Sequence, residues 1–140
     1  MDYLQLKSEF VNDPRGYGYA EAWSSGQDWK LADLINQVRD TIKITRDTVS
    51  TYEIFDAIVP DEWDTLTATE KSRIQLILSM GQVSLKGANT RAALSKAFGA
   101  GTTTRANLIA MMTRPGSRAE ELFGAGVVVT WDDIAMARRA

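Results

Sequence analysis

Apolar and polar residues recur along this 140-residue chain at helical spacing, and polar starts and glycine stops cut the pattern into short segments. A Ser or Thr side chain can accept from a first-turn amide while a Glu three residues later reaches back to the cap, which closes the start of a helix. Ser50-Thr51-Tyr52-Glu53 leads in this way into Ile54, Phe55 and Ile58, and Thr67-Ala68-Thr69-Glu70 into Ile74, Ile77 and Leu78. Ser117-Arg118-Ala119-Glu120 leads into Leu122 and Phe123, and Thr130-Trp131-Asp132-Asp133 is a shorter-armed version before Ile134. Stops follow at Gly81, Gly99 and Gly124, each directly after a large apolar residue, and Pro14, Pro60 and Pro115 break the chain at consistent places.

These signals predict helices near 3–11, 28–38, 51–58, 61–66, 68–80, 90–98, 104–112, 117–123 and 131–139. Thr41 to Thr45 alternates β-branched and polar residues, as a short strand or an extended linker would, and a strand there needs a partner, for which Val127 to Val129 is the candidate. The fold class expected is mainly α, a compact multi-helix domain over 1–140 with at most a short β element. Phe98-Gly99-Ala100-Gly101 is echoed by Phe123-Gly124-Ala125-Gly126, with Ile109-Ala110-Met111 and Ile134-Ala135-Met136 at matching offsets. Residues 90–139 are therefore expected to hold two related helix-turn-helix units sharing a core.

The chain has neither cysteine nor histidine, which removes disulfides, thiolate nucleophiles, imidazole bases and the usual zinc ligands. The reading is of a non-enzymatic protein without cofactor, metal or catalytic residues. Its longest unbroken apolar run is Leu108 to Met112, too short for a membrane span, so a soluble protein of cytosolic origin is expected. Net charge is −2, but residues 1–70 carry 6 Lys/Arg against 14 Asp/Glu and residues 71–140 carry 10 against 4. A chain divided in this way suits copies meeting head to tail, or a charged partner met by one face.

Gly99 to Thr104 offers backbone amides and hydroxyls before a helix, as a phosphate cradle would, but it lacks the Gly-Lys-Ser/Thr ending of a nucleotide loop. A structural turn is the favoured reading. Asp61, Glu62 and Asp64 crowd beside Trp63 as a divalent-metal or general-acid site would, yet they also follow Pro60 in a first helical turn, where acids offset the helix dipole. Arg91, Arg105, Arg114, Arg118, Arg138 and Arg139 supply most of the basic half and raise the alternative function, a helical nucleic-acid-binding or regulatory module; a pI of about 5.1 and the lack of a dense basic run weigh against it. Half of the aromatics fall within residues 1–29, among them Tyr17, Tyr19 and Trp23, and docking onto the chain's own core is favoured over an arm that grips a neighbour. These acidic, basic and aromatic residues together form the candidate interface.

Leu6, Glu9, Asp13-Pro14 and Gly18-Tyr19, then Glu53-Ile54-Phe55 with Ala57, Phe98-Gly99 with Gly101-Thr102-Thr103, and Ser117 to Leu122 running on to Ile134, Ala137 and Arg138 form a set that spans nearly the whole chain. In these residues the chain resembles a family of small proteins from the structural gene modules of tailed bacteriophages. The resemblance implies a virion structural or assembly protein of the head, neck or tail, made in the host cytoplasm, present in several symmetric copies, with phage structural proteins and copies of itself as partners. It carries over no catalytic residue. Relative to that family, the segment from Glu21 to Asp28 is more acidic and bears a tryptophan.

Overall fold

Helices take up 59% of the chain and short strands join them, as a run of capped segments dictates. A computed structural model describes residues 1–140. The chain forms two compact units, residues 1–44 with 115–140 and, inserted between them in sequence, residues 45–114. The first begins with α1 (Tyr3–Asn12), α2 (Tyr19–Ser24), α3 (Asp28–Asn36) and β1 (Val38–Thr45). The second contains β2 (Thr48–Ser50), α4 (Thr51–Ala57), α5 (Pro60–Asp64), α6 (Ala68–Leu78), β3 (Gln82–Ser84), α7 (Ala88–Ala97) and α8 (Thr103–Met111). The chain returns through β4 (Thr113–Ser117) to α9 (Arg118–Phe123) and α10 (Trp131–Arg139).

Capping boxes close at Ser50, Ser117 and Thr130, and Thr67 caps α6 by accepting from the Glu70 amide. The first unit buries Leu6, Phe10, Tyr19, Ala22, Leu31 and Ile35 against Ala119, Val129, Ile134 and Ala137. Strand β1 pairs with β4 rather than with residues 127–129. The β-branched run at Val127 to Val129 has a different partner: the Asn36 side chain accepts from the Val129 amide at 2.9 Å and donates to its carbonyl at 2.8 Å, supplying the two hydrogen bonds that a neighbouring strand would make. Gly116 lies in β4 against Ile44, so close that a Cβ there would strike the Ile44 side chain.

The second unit has its own core of Val49, Ile54, Ile74, Ile77, Val83, Leu85, Leu94, Phe98 and Leu108. Strands β2 and β3 pair antiparallel, with Val49 opposite Val83. The two glycine-turn segments therefore do not share a core as expected: Phe98 and Leu108 belong to one cluster and Ala119 and Ile134 to the other. Helix α2 was not expected, because the turn residues up to Gly18 obscure a helix that starts immediately after them. Helix α3 stops two residues before the expected end, where Gln37 turns extended and feeds β1.

Candidate protein interface

The aromatic segment of the first unit is organised by one carboxylate. Asp13 ends α1 with a left-handed backbone, φ +42°, and its side chain accepts from the amides of Tyr17 and Gly18 at 2.8 Å and of Tyr19 at 3.3 Å. That turn sends Tyr19 into the core, edge-on to Phe10 at 5.2 Å between ring centres, while Trp23 stacks on Phe10 at 5.7 Å. Tyr17 is half-buried beneath the Arg39 guanidinium, 3.8 Å from its ring centre. Burial pushes the Tyr19 hydroxyl well above the usual phenol range, and it has no hydrogen-bond partner within the protein.

Much of the charge divided along the sequence is paired inside the molecule. Arg118 donates to both oxygens of Glu9, at 2.8 and 3.0 Å, and to Glu121 at 2.7 Å. The Glu9 carboxylate, and then Glu121, raise the affinity of this guanidinium for its proton against the cost of burial. Arg138 donates twice to Asp28, at 3.0 and 2.7 Å, and lies 4.2 Å from the Trp23 ring centre. Two candidate interface residues are thus corrected, Tyr19 and Arg118 being interior, while Trp23 and Arg138 are half-buried against each other. Of the arginines that raise the nucleic-acid alternative, Arg118 is neutralised in this way within the first unit, and Arg105 and Arg114 of the second are half-buried.

In the second unit the acidic trio separates. Asp61 and Asp64 face solvent, while Glu62 turns to the start of α8 and accepts from the amides of Thr103 and Thr104, at 2.9 and 2.7 Å, and from the Thr104 hydroxyl at 2.6 Å. The Thr104 hydroxyl, ahead of the backbone amides, holds the Glu62 carboxyl below the usual range. This helix start does attract an anion, and the anion is the chain's own Glu62, which accounts for both the acid beside Trp63 and the hydroxyls after Gly101. No three carboxylates come together as a metal would require.

What remains open is apolar surface with charge at its edges. On one flank of α6, a groove of about 370 Å³ runs between Arg73, Leu76 and Met80 and the facing residues Thr90, Ala93 and Lys96 of α7. On the other side of α7, Arg91 and Arg105 rim a second groove floored by Leu94, Leu108 and Met112. The opposite flank of α6 meets α4 and α5 in a third, about 320 Å³, formed by Phe55, Ile58, Pro60, Trp63, Gln75 and Leu78. Of the expected candidates, Asp61 and Asp64 stand on α5 beside this third groove, and Arg91 and Arg105 line the second, whereas Arg139 is exposed in the last turn of α10. Arg73, Leu76 and Met80 were not among the interface candidates expected from sequence; apolar residues off the buried stripe of α6 were the available signal.

The division of charge survives in the second unit alone. Its residues 45–70 hold 7 Asp/Glu and 1 Lys/Arg, and its residues 71–114 hold 7 Lys/Arg and no acid. The first unit is more evenly mixed, with 11 Asp/Glu and 8 Lys/Arg. No helix is long and apolar enough to cross a membrane. Comparison of the chain with protein-family models, with curated proteins and with solved structures finds no match.

Proposed function

We propose that this is a non-enzymatic structural or assembly protein of a tailed-phage virion, acting through protein contacts among several copies and with other particle proteins. The observation that carries the reading is the exposure of large apolar side chains at grooves edged by charge: Leu76 is 65% and Phe55 67% exposed, on opposite flanks of α6. Such patches mark surfaces that other proteins cover. The grooves hold no cluster of carboxylates or nucleophiles, and the hydrogen-bonded charged groups Glu9, Glu62, Arg118 and Arg138 serve the fold. The resemblance to phage structural-module proteins supplies the biological setting. The echo of Phe98–Gly101 in Phe123–Gly126, each joining two helices, supports a relation between the two helix-turn-helix segments, one in each unit.

Light scattering of the purified chain at low and high salt, together with mass spectrometry of purified particles, tests this function. Association at low salt and presence in the particle are expected. A chain that stays monomeric at high concentration and is absent from particles would overturn it.

A further inference from the structure

The two flanks of α6 are complementary in charge and alike in apolar character. At 100° per residue, Arg73, Leu76 and Met80 lie on one side of this helix and its extension, and Gln75 and Leu78 on the other. The first side belongs to the stretch 71–114, which has no acidic residue, and its groove has Arg73 and Lys96 as its only charged lining. The second side is bordered by the exposed Asp56, Asp61 and Asp64 of α4 and α5, with Phe55 projecting. Lys71 lies 6.0 Å from the Trp63 ring centre, and the three exposed acids outnumber it.

Building on the assembly function proposed above, we infer that the α4–α5 edge of one copy docks into the α6–α7 groove of the next. Phe55 seats on Leu76 and Met80, and Asp56, Asp61 and Asp64 face Arg73 and Lys96. A second copy is the occupant because one unit carries both halves of the match. Since donor and acceptor are different surfaces of the same unit, the contact is head to tail and repeats from copy to copy, closing into a ring or running on as a filament. The electrostatic part of the contact steers encounter and fixes register, and the apolar part holds it.

The experiment is a charge exchange in the full chain, read by sedimentation velocity at low salt. The acceptor variant is R73E/K96E and the donor variant D61K/D64K; all four side chains are exposed, so circular dichroism should match the wild type. Each variant alone is expected to associate at least about tenfold more weakly than the wild type, because like charges then face each other. A 1:1 mixture is expected to restore assembly, since each species keeps one intact surface and the two reversed surfaces also match. Variants that assemble like the wild type, or a mixture that stays apart, overturn the docking surface while leaving the assembly function standing. A wild-type chain that is monomeric at every salt concentration overturns the docking surface, and overturns the assembly function as well if the chain is also absent from purified particles.

Discussion

Replacing Arg118 by Met should be among the most damaging single changes in the first unit. Glu9 is 4% and Arg118 8% exposed, and the pair shares two hydrogen bonds of 2.8 and 3.0 Å. Removing the guanidinium leaves a carboxylate inside the fold with neither of those donors. Breaking a buried pair from one side costs about 3–5 kcal/mol, which agrees with about 1.5–3 kcal/mol for each hydrogen bond to a charged group. With a urea m-value of about 2 kcal/mol/M, the unfolding midpoint should fall by about 2 M. The double variant E9L/R118M removes both charges and should recover most of the loss, because desolvating an ion pair offsets much of its attraction. Arg15→Ala, which breaks the exposed pair with Glu121, should cost less than about 0.5 kcal/mol. Urea titrations of the wild type, Glu9→Leu, Arg118→Met and the double variant, read by tryptophan fluorescence, give the coupling energy directly, with Arg15→Ala measured beside them. A loss for Arg118→Met no larger than that for Arg15→Ala would refute the interior placement of the pair.

In the second unit, Arg46 and then the Ser50 amide hold the Glu53 carboxyl down to about 2 from an ordinary 4.5. A folded-state value below the unfolded one contributes stability above pH 4.5 that is lost as pH falls toward 2. Glu53→Gln should therefore flatten the stability profile across that window and cost about 1–2 kcal/mol at neutral pH, allowing for solvent screening at a partly exposed pair; pH-dependent thermal unfolding checks it. Thr104→Val keeps the shape of a fully buried side chain but deprives the Val59 amide of its acceptor, 2.9 Å away, and should cost about 1–3 kcal/mol in urea unfolding, with Thr104→Ser recovering most of it. Gly116→Ala drives a methyl into Ile44 and should cost about 1–3 kcal/mol by the same assay, and I44A placed in the same chain should cost less than it does alone.

Elements whose ends carry their own chemistry were legible in the sequence. Helices α4, α6, α9 and α10 begin where Ser or Thr can cap, and β1 alternates β-branched and polar residues as an isolated signal should. Strands β2 and β3 are three residues each, too short to show a period, and they form because Val49 and Val83 face each other across a core that only the folded chain assembles. The strand expected at Val127 to Val129 was a fair reading of β-branched residues, overtaken by a side-chain amide ninety-three positions away in sequence. At the candidate interface, sequence identified charged residues by type, whereas burial decides their role: Arg118 and Glu62 have partners 109 and 42 residues distant, which no local pattern reveals.

The charge split shows how pairing changes the meaning of a sequence asymmetry. Counted by halves of the chain it suggests a dipole from end to end, yet Glu9 pairs with Arg118 and Asp28 with Arg138, so acids of the first half meet bases of the second within one unit. A paired and desolvated charge sends little field beyond its partner, so such residues drop out of any account of recognition. The stretch 71–114 itself contains no acid, and Asp47 with Lys86 is an exposed pair worth little. Arg73, Arg91 and Lys96 remain at the edges of apolar grooves, where exposed charge and exposed apolar area coincide. Unpaired charge beside uncovered apolar surface is the combination that association can use, which makes the second unit, and not the two halves of the sequence, the place where assembly should respond to salt.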